Sequence, residues 1–144
     1  MGGKLWHRVP DETGKPRLKE ADITALEIDR PTVIYISGFL TTNKQYGYIS
    51  GGIKRTQELL SNADLDEQPD VYAWSHTSLA NLFNLAAYDT FPNSYSSKAG
   101  YTLAEHIIMP QVAEGLSRNK NGKLEGTPRD PEDAAQRLRN ITLF

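Results

Sequence analysis

The sequence predicts an α/β fold in three layers, with a mostly parallel sheet and helices on both faces. Two observations carry this. Three apolar runs, "TVIYISGF" (32–39), "VYAWS" (71–75) and "NITLF" (140–144), read as buried strands. Segments with apolar residues at helical spacing lie between them. Strands that alternate with helices need right-handed crossovers, which lay the helices over the sheet and make its strands parallel. The 144 residues suit one domain, 1–144, large enough to bury a core.

Residues 4–22 are polar, and "DETGKP" carries a turn signal, so an irregular or hairpin segment opens the chain. "TALEID" (24–29) alternates weakly, with Leu26 and Ile28 on one face, until Arg30-Pro31 interrupts it. "TVIYISGF" is apolar on both faces and β-branched, as a central parallel strand should be, and it runs into a glycine. "GGIKRTQELLSN" (51–62) reads as a helix with Ile53 and Leu60 on one face. A polar loop containing Pro69 leads to the second buried strand, "VYAWS". "SLANLFNLAAY" (78–88) puts Leu79, Leu82, Phe83, Ala86 and Ala87 on one helical face.

"TLAEHIIMPQVAEGL" (102–116) reads as a long helix. Thr102 and Glu105 have capping-box spacing, in which each side chain satisfies a free backbone donor. Ala104, Ile108, Val112 and Leu116 form a stripe that Leu103 and Ile107 widen. Pro110 removes a donor and should kink this helix near Ile107. "SRNKNGKLEGTPRD" (117–130) reads as an exposed loop. Asp130 caps a short helix with Pro131 at its first position, and "NITLF" closes the order as a third strand.

Composition narrows the chemistry. The net charge of −2 shows no basic excess, so nucleic acid is not an expected partner. There is no cysteine, which removes disulfides, thiolate nucleophiles and cysteine-ligated zinc. That fits a reducing, cytoplasmic compartment. The first residues lack the apolar core of a signal peptide, and no run is long enough for a transmembrane segment. Trp6 stands where a myristoylation motif wants Ser or Thr. His7, His76 and His106 have no ligand spacing, so neither a metal nor a cofactor is expected.

Ligands of parallel sheets bind beyond the carboxyl ends of the strands, here after Ile36, Trp74 and Phe144. In "YISGFLTTN" (35–43) a glycine permits a sharp turn, and the N–H groups after it can face the crevice as an oxyanion site. A tight turn with no ligand is the plainer alternative. In "GYISGGIKRT" (47–56) Gly47 and Gly52 have the P-loop gap, but Ile53 stands where lysine is required and Lys54 comes one residue late. Ser75 and Ser78 lack the glycines of a nucleophile elbow, and Ser37 lacks one two residues earlier. No residue reads as a nucleophile.

The run "PTVIYISGFLTTN" resembles the oxyanion strand of α/β-hydrolases, especially lipases and esterases, which commonly end it in His-Gly-Phe or His-Gly-Gly. "DVYAWSH" (70–76) looks like the next strand of that family. "GYTLAEHIIMPQVAEGL" looks like the helix that leads toward the nucleophile strand, and "PEDAAQRLRNITLF" like the short helix and strand just before Gly-x-Ser-x-Gly. The resemblance spans residues 24–144 in order, with Ser37 in place of the usual histidine. It implies the N-terminal portion of a hydrolase fold, with the nucleophile, acid and histidine after Phe144.

Carried over residue by residue, the resemblance makes the Phe39 backbone N–H half of an oxyanion hole, with Gly38 allowing its turn. Leu40 and the loop through Tyr46 and Tyr48 would border an acyl pocket. Trp74, Ser75 and His76 would line the crevice from the next strand. The implied substrate is a small ester or lipid. The implied partner is a C-terminal segment, a second chain or another copy that completes the sheet, and the 144 residues alone should be inactive. Two other readings stand beside it: a non-catalytic α/β interaction module, and a nucleotide-binding α/β domain with its phosphate-binding backbone near Gly51 and Gly52.

Overall fold

A turn built by one carboxylate starts the sheet. In the computed structural model, which describes residues 3–26, 29–37, 46–75 and 100–144, β1 (Lys4–Pro10) and β2 (Pro16–Glu20) form an antiparallel hairpin. Asp11 accepts from the Thr13 N–H, the Thr13 hydroxyl and the Lys15 N–H at 2.8, 2.6 and 3.0 Å. Gly14 supplies the left-handed residue, φ 81°. The polar "DETGKP" is therefore a side-chain-closed turn of the kind Asp favours.

β3 (Thr32–Ile36) lies parallel to β4 (Asp70–Ser75), paired from Thr32↔Asp70 to Ile36↔Trp74. β7 (Ile141–Leu143) runs parallel to β3 on its other side. β1 pairs antiparallel with β4 from Lys4↔Ser75 to Trp6↔Ala73, which gives a five-stranded order β2-β1-β4-β3-β7. The expected mostly parallel sheet is thus mixed. The turn of a few residues makes β1 and β2 antiparallel to each other, and β1 also joins β4 antiparallel, whereas β3, β4 and β7 are each separated by helical crossovers.

Adjacent strand residues point to opposite faces, and each face has its own cover. On one, Trp6, Val33, Val71 and Ala73 pack with Ile49 and Ile53 of α1 (Tyr46–Ser61). On the other, Leu5, Ile34, Tyr72 and Trp74 pack with Leu103, Ile108 and Val112. Ile34, Ile49 and Ile53 are fully buried, which is why "TVIYI" is apolar on both faces. α1 begins five residues before the expected Gly51, at Tyr46.

The expected helix over 102–116 differs in three ways. Gly100 and Tyr101 are already helical, and Thr102 has helical φ and ψ with no capping hydrogen bond from its side chain, so the capping box goes unused. The segment α2 (Leu103–Ile108) is π-helical and passes into a single α-helical turn, α3 (Met109–Val112). Pro110, in the first turn of α3, offers no N–H to the preceding turn, and the turn before it is the widened, π-helical one. The helix then stops at Val112, not Leu116. Gly115 takes φ 62°, and a Cβ there would run into the Thr127 carbonyl oxygen.

Gln111 joins this helix to the rest. Its Nε2 donates to the Ile107 carbonyl at 2.8 Å, and its Oε1 accepts from the Leu26 N–H at 2.9 Å. Leu26 is buried, but Thr24 lies in a turn and not in the alternating strand that "TALEID" suggested. Glu27 and Ile28 lie outside the described residues, as does the helix expected over 78–88.

The expected loop 117–130 contains a small exposed hairpin, β5 (Ser117–Arg118) with β6 (Leu124–Glu125). Arg118 ties it to the chain before β3 through Asp22, at 2.8 Å from Nη2 and 3.1 Å from Nε. Asp130 caps α4 (Pro131–Leu138) as expected, accepting from the Asp133 N–H at 2.9 Å. The Asn140 carbonyl then accepts from the Thr32 N–H at 2.8 Å, which sets β7 in register. Among the described residues no helix is long and apolar enough to cross a membrane.

Candidate functional site

The carboxyl ends of β4, β3 and β7 lie side by side. The Ile36 N–H donates to the Phe144 carbonyl, and the Ser37 N–H donates to the Trp74 carbonyl, both at 2.9 Å. Two cavities flank this line of strand ends, one on each face of the sheet.

The first cavity, about 250 Å³, is apolar and is lined by Ile36, Trp74, Leu103, Ala104, Ile108 and Leu143. Alternation along β3 sends Ile36 to the α2 face, and alternation along β4 sends Trp74 there too. Trp74 is only 2% exposed, so it is both a core residue and a wall of the cavity. Its Nε1 is buried with no hydrogen-bond partner among the described residues.

The second cavity, about 230 Å³, lies on the α1 face beside Tyr35, Ser37, Gly47, Gly51, Gly52 and Arg55. Ser37 is 4% exposed, and its Oγ has no hydrogen-bond partner among the described residues. A buried hydroxyl left so costs about 1–3 kcal/mol. Gly52 lets α1 approach the sheet, because a Cβ there would run into the Tyr35 ring.

A larger recess of about 430 Å³ lies at the opposite end of the parallel strands. It opens beyond Trp6↔Ala73, where the β1–β4 ladder stops, and His7, Arg8, Arg30, Asp70 and Tyr72 line it. His7 stacks on Tyr72 at 5.9 Å. Burial, with help from the Lys19 charge, pushes the His7 pKa below its ordinary value. Arg30 is held by Asp70 at 3.4 Å and Glu67 at 3.6 Å. Among the described residues no three histidines or carboxylates gather as metal ligands.

The residues expected at a site fall into three groups. Gly38, Phe39, Leu40 and His76 lie outside the described residues. Trp74 lines the apolar cavity. Ser75, Tyr46 and Tyr48 sit elsewhere. Ser75 is fully buried on the α1 face, where its Oγ accepts from the Trp6 indole N–H at 2.8 Å. Tyr46 and Tyr48 were expected in a loop bordering an acyl pocket, but both belong to the first turn of α1. That helix start carries them to the face opposite the apolar cavity. Tyr46 meets Trp6 edge-on at 5.5 Å, and Tyr48 is 74% exposed beside the polar cavity.

Leu103, Ile108 and Leu143 were legible as apolar positions but not as cavity walls, because the cavity that a helix and a strand share depends on tertiary placement. Ser37 and Arg55 were not singled out as binding residues. The signal for Arg55 is its spacing: Gly47, Gly51 and Arg55 recur every four residues, so they share one face of α1.

No protein-family model matches this sequence, and no curated protein or solved structure shows significant similarity to it.

Proposed function

We propose that this chain is the N-terminal portion of a serine hydrolase acting on an ester or lipid, supplying the oxyanion strand and the apolar half of the substrate crevice. One observation carries this reading. β3 sits between β4 and β7, and its Ile36 N–H meets the Phe144 carbonyl at 2.9 Å. The carboxyl ends of β3 and β7 therefore lie next to each other, beside the apolar cavity.

On this reading, a serine on an elbow after β7 attacks the ester carbonyl. The Phe39 N–H donates to the oxygen as it becomes negative, and the second donor comes from the residue after the serine. The hydrocarbon of the substrate lies against Ile36, Trp74, Leu103 and Ile108, where each buried methylene contributes about 0.8 kcal/mol. On this reading the 144 residues by themselves turn over no ester, since none of their serines lies in a Gly-x-Ser-x-Gly sequence.

The test is to express the longest polypeptide that the natural reading frame encodes and treat it with a fluorophosphonate. A labelled serine within Gly-x-Ser-x-Gly shortly after Phe144 is the expected result. Label on a serine within residues 1–144, or no reactive serine in the full product, overturns the proposal. In an active product, Trp74→Ala should raise KM for long-chain esters more than for short ones.

A further inference from the structure

We propose that the polar cavity between β3 and α1 binds a small oxyanion, a carboxylate or phosphate group, on the glycine face of the helix. This does not depend on the hydrolase reading, because the cavity lies on the other face of the sheet from the apolar one.

The floor of the site is made by absent side chains. Gly47 and Gly51 are one turn apart, and a Cβ added to either would meet nothing within 4 Å. The third member of the same row is Arg55, which also lines the cavity. Helical side chains lean toward the N-terminus of their helix, so the Arg55 guanidinium reaches back over the space that Gly51 leaves open.

The charges all have one sign. The first turn of α1 contains no acid, and its leading N–H groups have no partners within the helix. The only acid in α1 is Glu58, which lies 3.9 Å from Lys54. Among the described residues no carboxylate pairs with Arg55. The cavity thus joins a free guanidinium to the positive end of a helix of 16 residues.

An independent observation points to a ligand. The Ser37 hydroxyl is buried against this cavity and has no hydrogen-bond partner among the described residues. A hydroxyl can donate to an oxyanion, which would complete its bonding where no described residue does. The Tyr35 ring, held against Gly52, forms an apolar wall for the organic part of such a ligand. The volume of about 230 Å³ is below that of most drug-sized pockets, so the ligand is small.

The experiment is an amide-shift titration of the 15N-labelled 144-residue chain. Sodium phosphate and sodium acetate are added separately, with sodium chloride at matched ionic strength as the control. The expected result is saturable movement of the Ser37 and 47–52 amides with at least one of the two anions. Saturation by phosphate alone identifies a phosphate site, and by acetate alone a carboxylate site. Arg55→Gln should weaken binding by about tenfold or more, since it removes a charge-assisted donor. Gly51→Leu should abolish binding by filling the groove, while the thermal melt stays at or above that of the parent. Ser37→Ala should weaken binding with both anions. Shifts that follow ionic strength without saturating overturn the proposal. So does saturable binding that both Arg55→Gln and Gly51→Leu leave unchanged.

Discussion

Gln111 shows how much one polar side chain can organise. It is 2% exposed and serves two backbone groups that belong to different parts of the chain. Replacing it with leucine keeps the volume but leaves the Leu26 N–H and the Ile107 carbonyl without these partners. Losing the acceptor of the Leu26 N–H costs about 1–3 kcal/mol, so Gln111→Leu should lower the urea midpoint clearly. An unchanged midpoint would show that the clamp is dispensable. Asp11 gives a prediction of the opposite kind, at the surface. Its hydrogen bond from the Thr13 hydroxyl, then that from Arg17, holds its carboxyl at about 2, below the ordinary 3.8. A depressed carboxylate stabilises the fold fully above its unfolded pKa and loses that contribution as pH falls toward the folded value. Stability should therefore decline between about pH 4 and pH 2, and Asp11→Asn should flatten that part of the curve in thermal melts. Asp22 adds to the same acid limb, since Arg118 and then Thr24 hold its carboxyl below the ordinary range. If the variant and the parent lose stability in parallel over this window, the turn carboxylate contributes nothing.

At the scale of elements, the sequence is readable where local chemistry and tertiary placement agree. "TVIYI" and "VYAWS" were legible as strands because burial on both faces leaves only apolar residues along them. The start of α4 was legible because Asp130-Pro131 has one good conformation, and Asp130→Ala should cost about 1 kcal/mol in chemical denaturation. A variant as stable as the parent would mean that α4 is held by packing alone. The start of α1 was not legible, since "YGYIS" carries a glycine and β-branched or aromatic residues that favour other states. Packing of Ile49 and Ile53 against the sheet overrides that preference. The same override hid the polar cavity, whose glycines look like a failed phosphate loop until the helix is seen to begin at Tyr46. The apolar cavity was half legible: Trp74 follows from the strand-end rule, but its other walls come from a helix whose widened turn has no periodic signature. Glycine position separates two further variants. Gly51→Ala should stabilise by about 0.5–1 kcal/mol, because alanine favours a helix interior and its methyl meets open space. Gly115→Ala should destabilise by more than about 1 kcal/mol, because a left-handed residue would gain a Cβ against the Thr127 carbonyl. Melts of the two proteins must move in opposite directions for this account to hold.

At the scale of the whole molecule, the two edges of the sheet are unlike. β2 is a polar strand whose side chains are mostly exposed, including Arg17, Lys19 and Glu20, and charged edges resist pairing. β7 carries no charge, and Leu143 and Phe144 are 58% and 61% exposed. Its hydrogen bonds to β3 use Asn140 and Phe144, so by the period of a strand the N–H and C=O groups of Ile141 and Leu143 face the other way. Among the described residues no strand pairs with that side. An apolar, uncharged edge beside an apolar cavity is a template for another strand. The proposed hydrolase fills it with a strand that follows the elbow. Without that strand, a second copy of β7 is the complementary surface at hand, and a net charge of −2 opposes association only weakly. The 144-residue chain should therefore sediment with a mass that rises with concentration. Thr142→Lys places a charge on an exposed position of β7 without touching either core cluster, and it should hold the chain as a monomer. The decisive companion measurement is hydrogen exchange at Ile141 and Leu143. Fast exchange in the monomer, slowed on association, is what an open edge requires. A parent that stays monomeric at every concentration, with both amides protected, would mean that this edge is already covered within the chain.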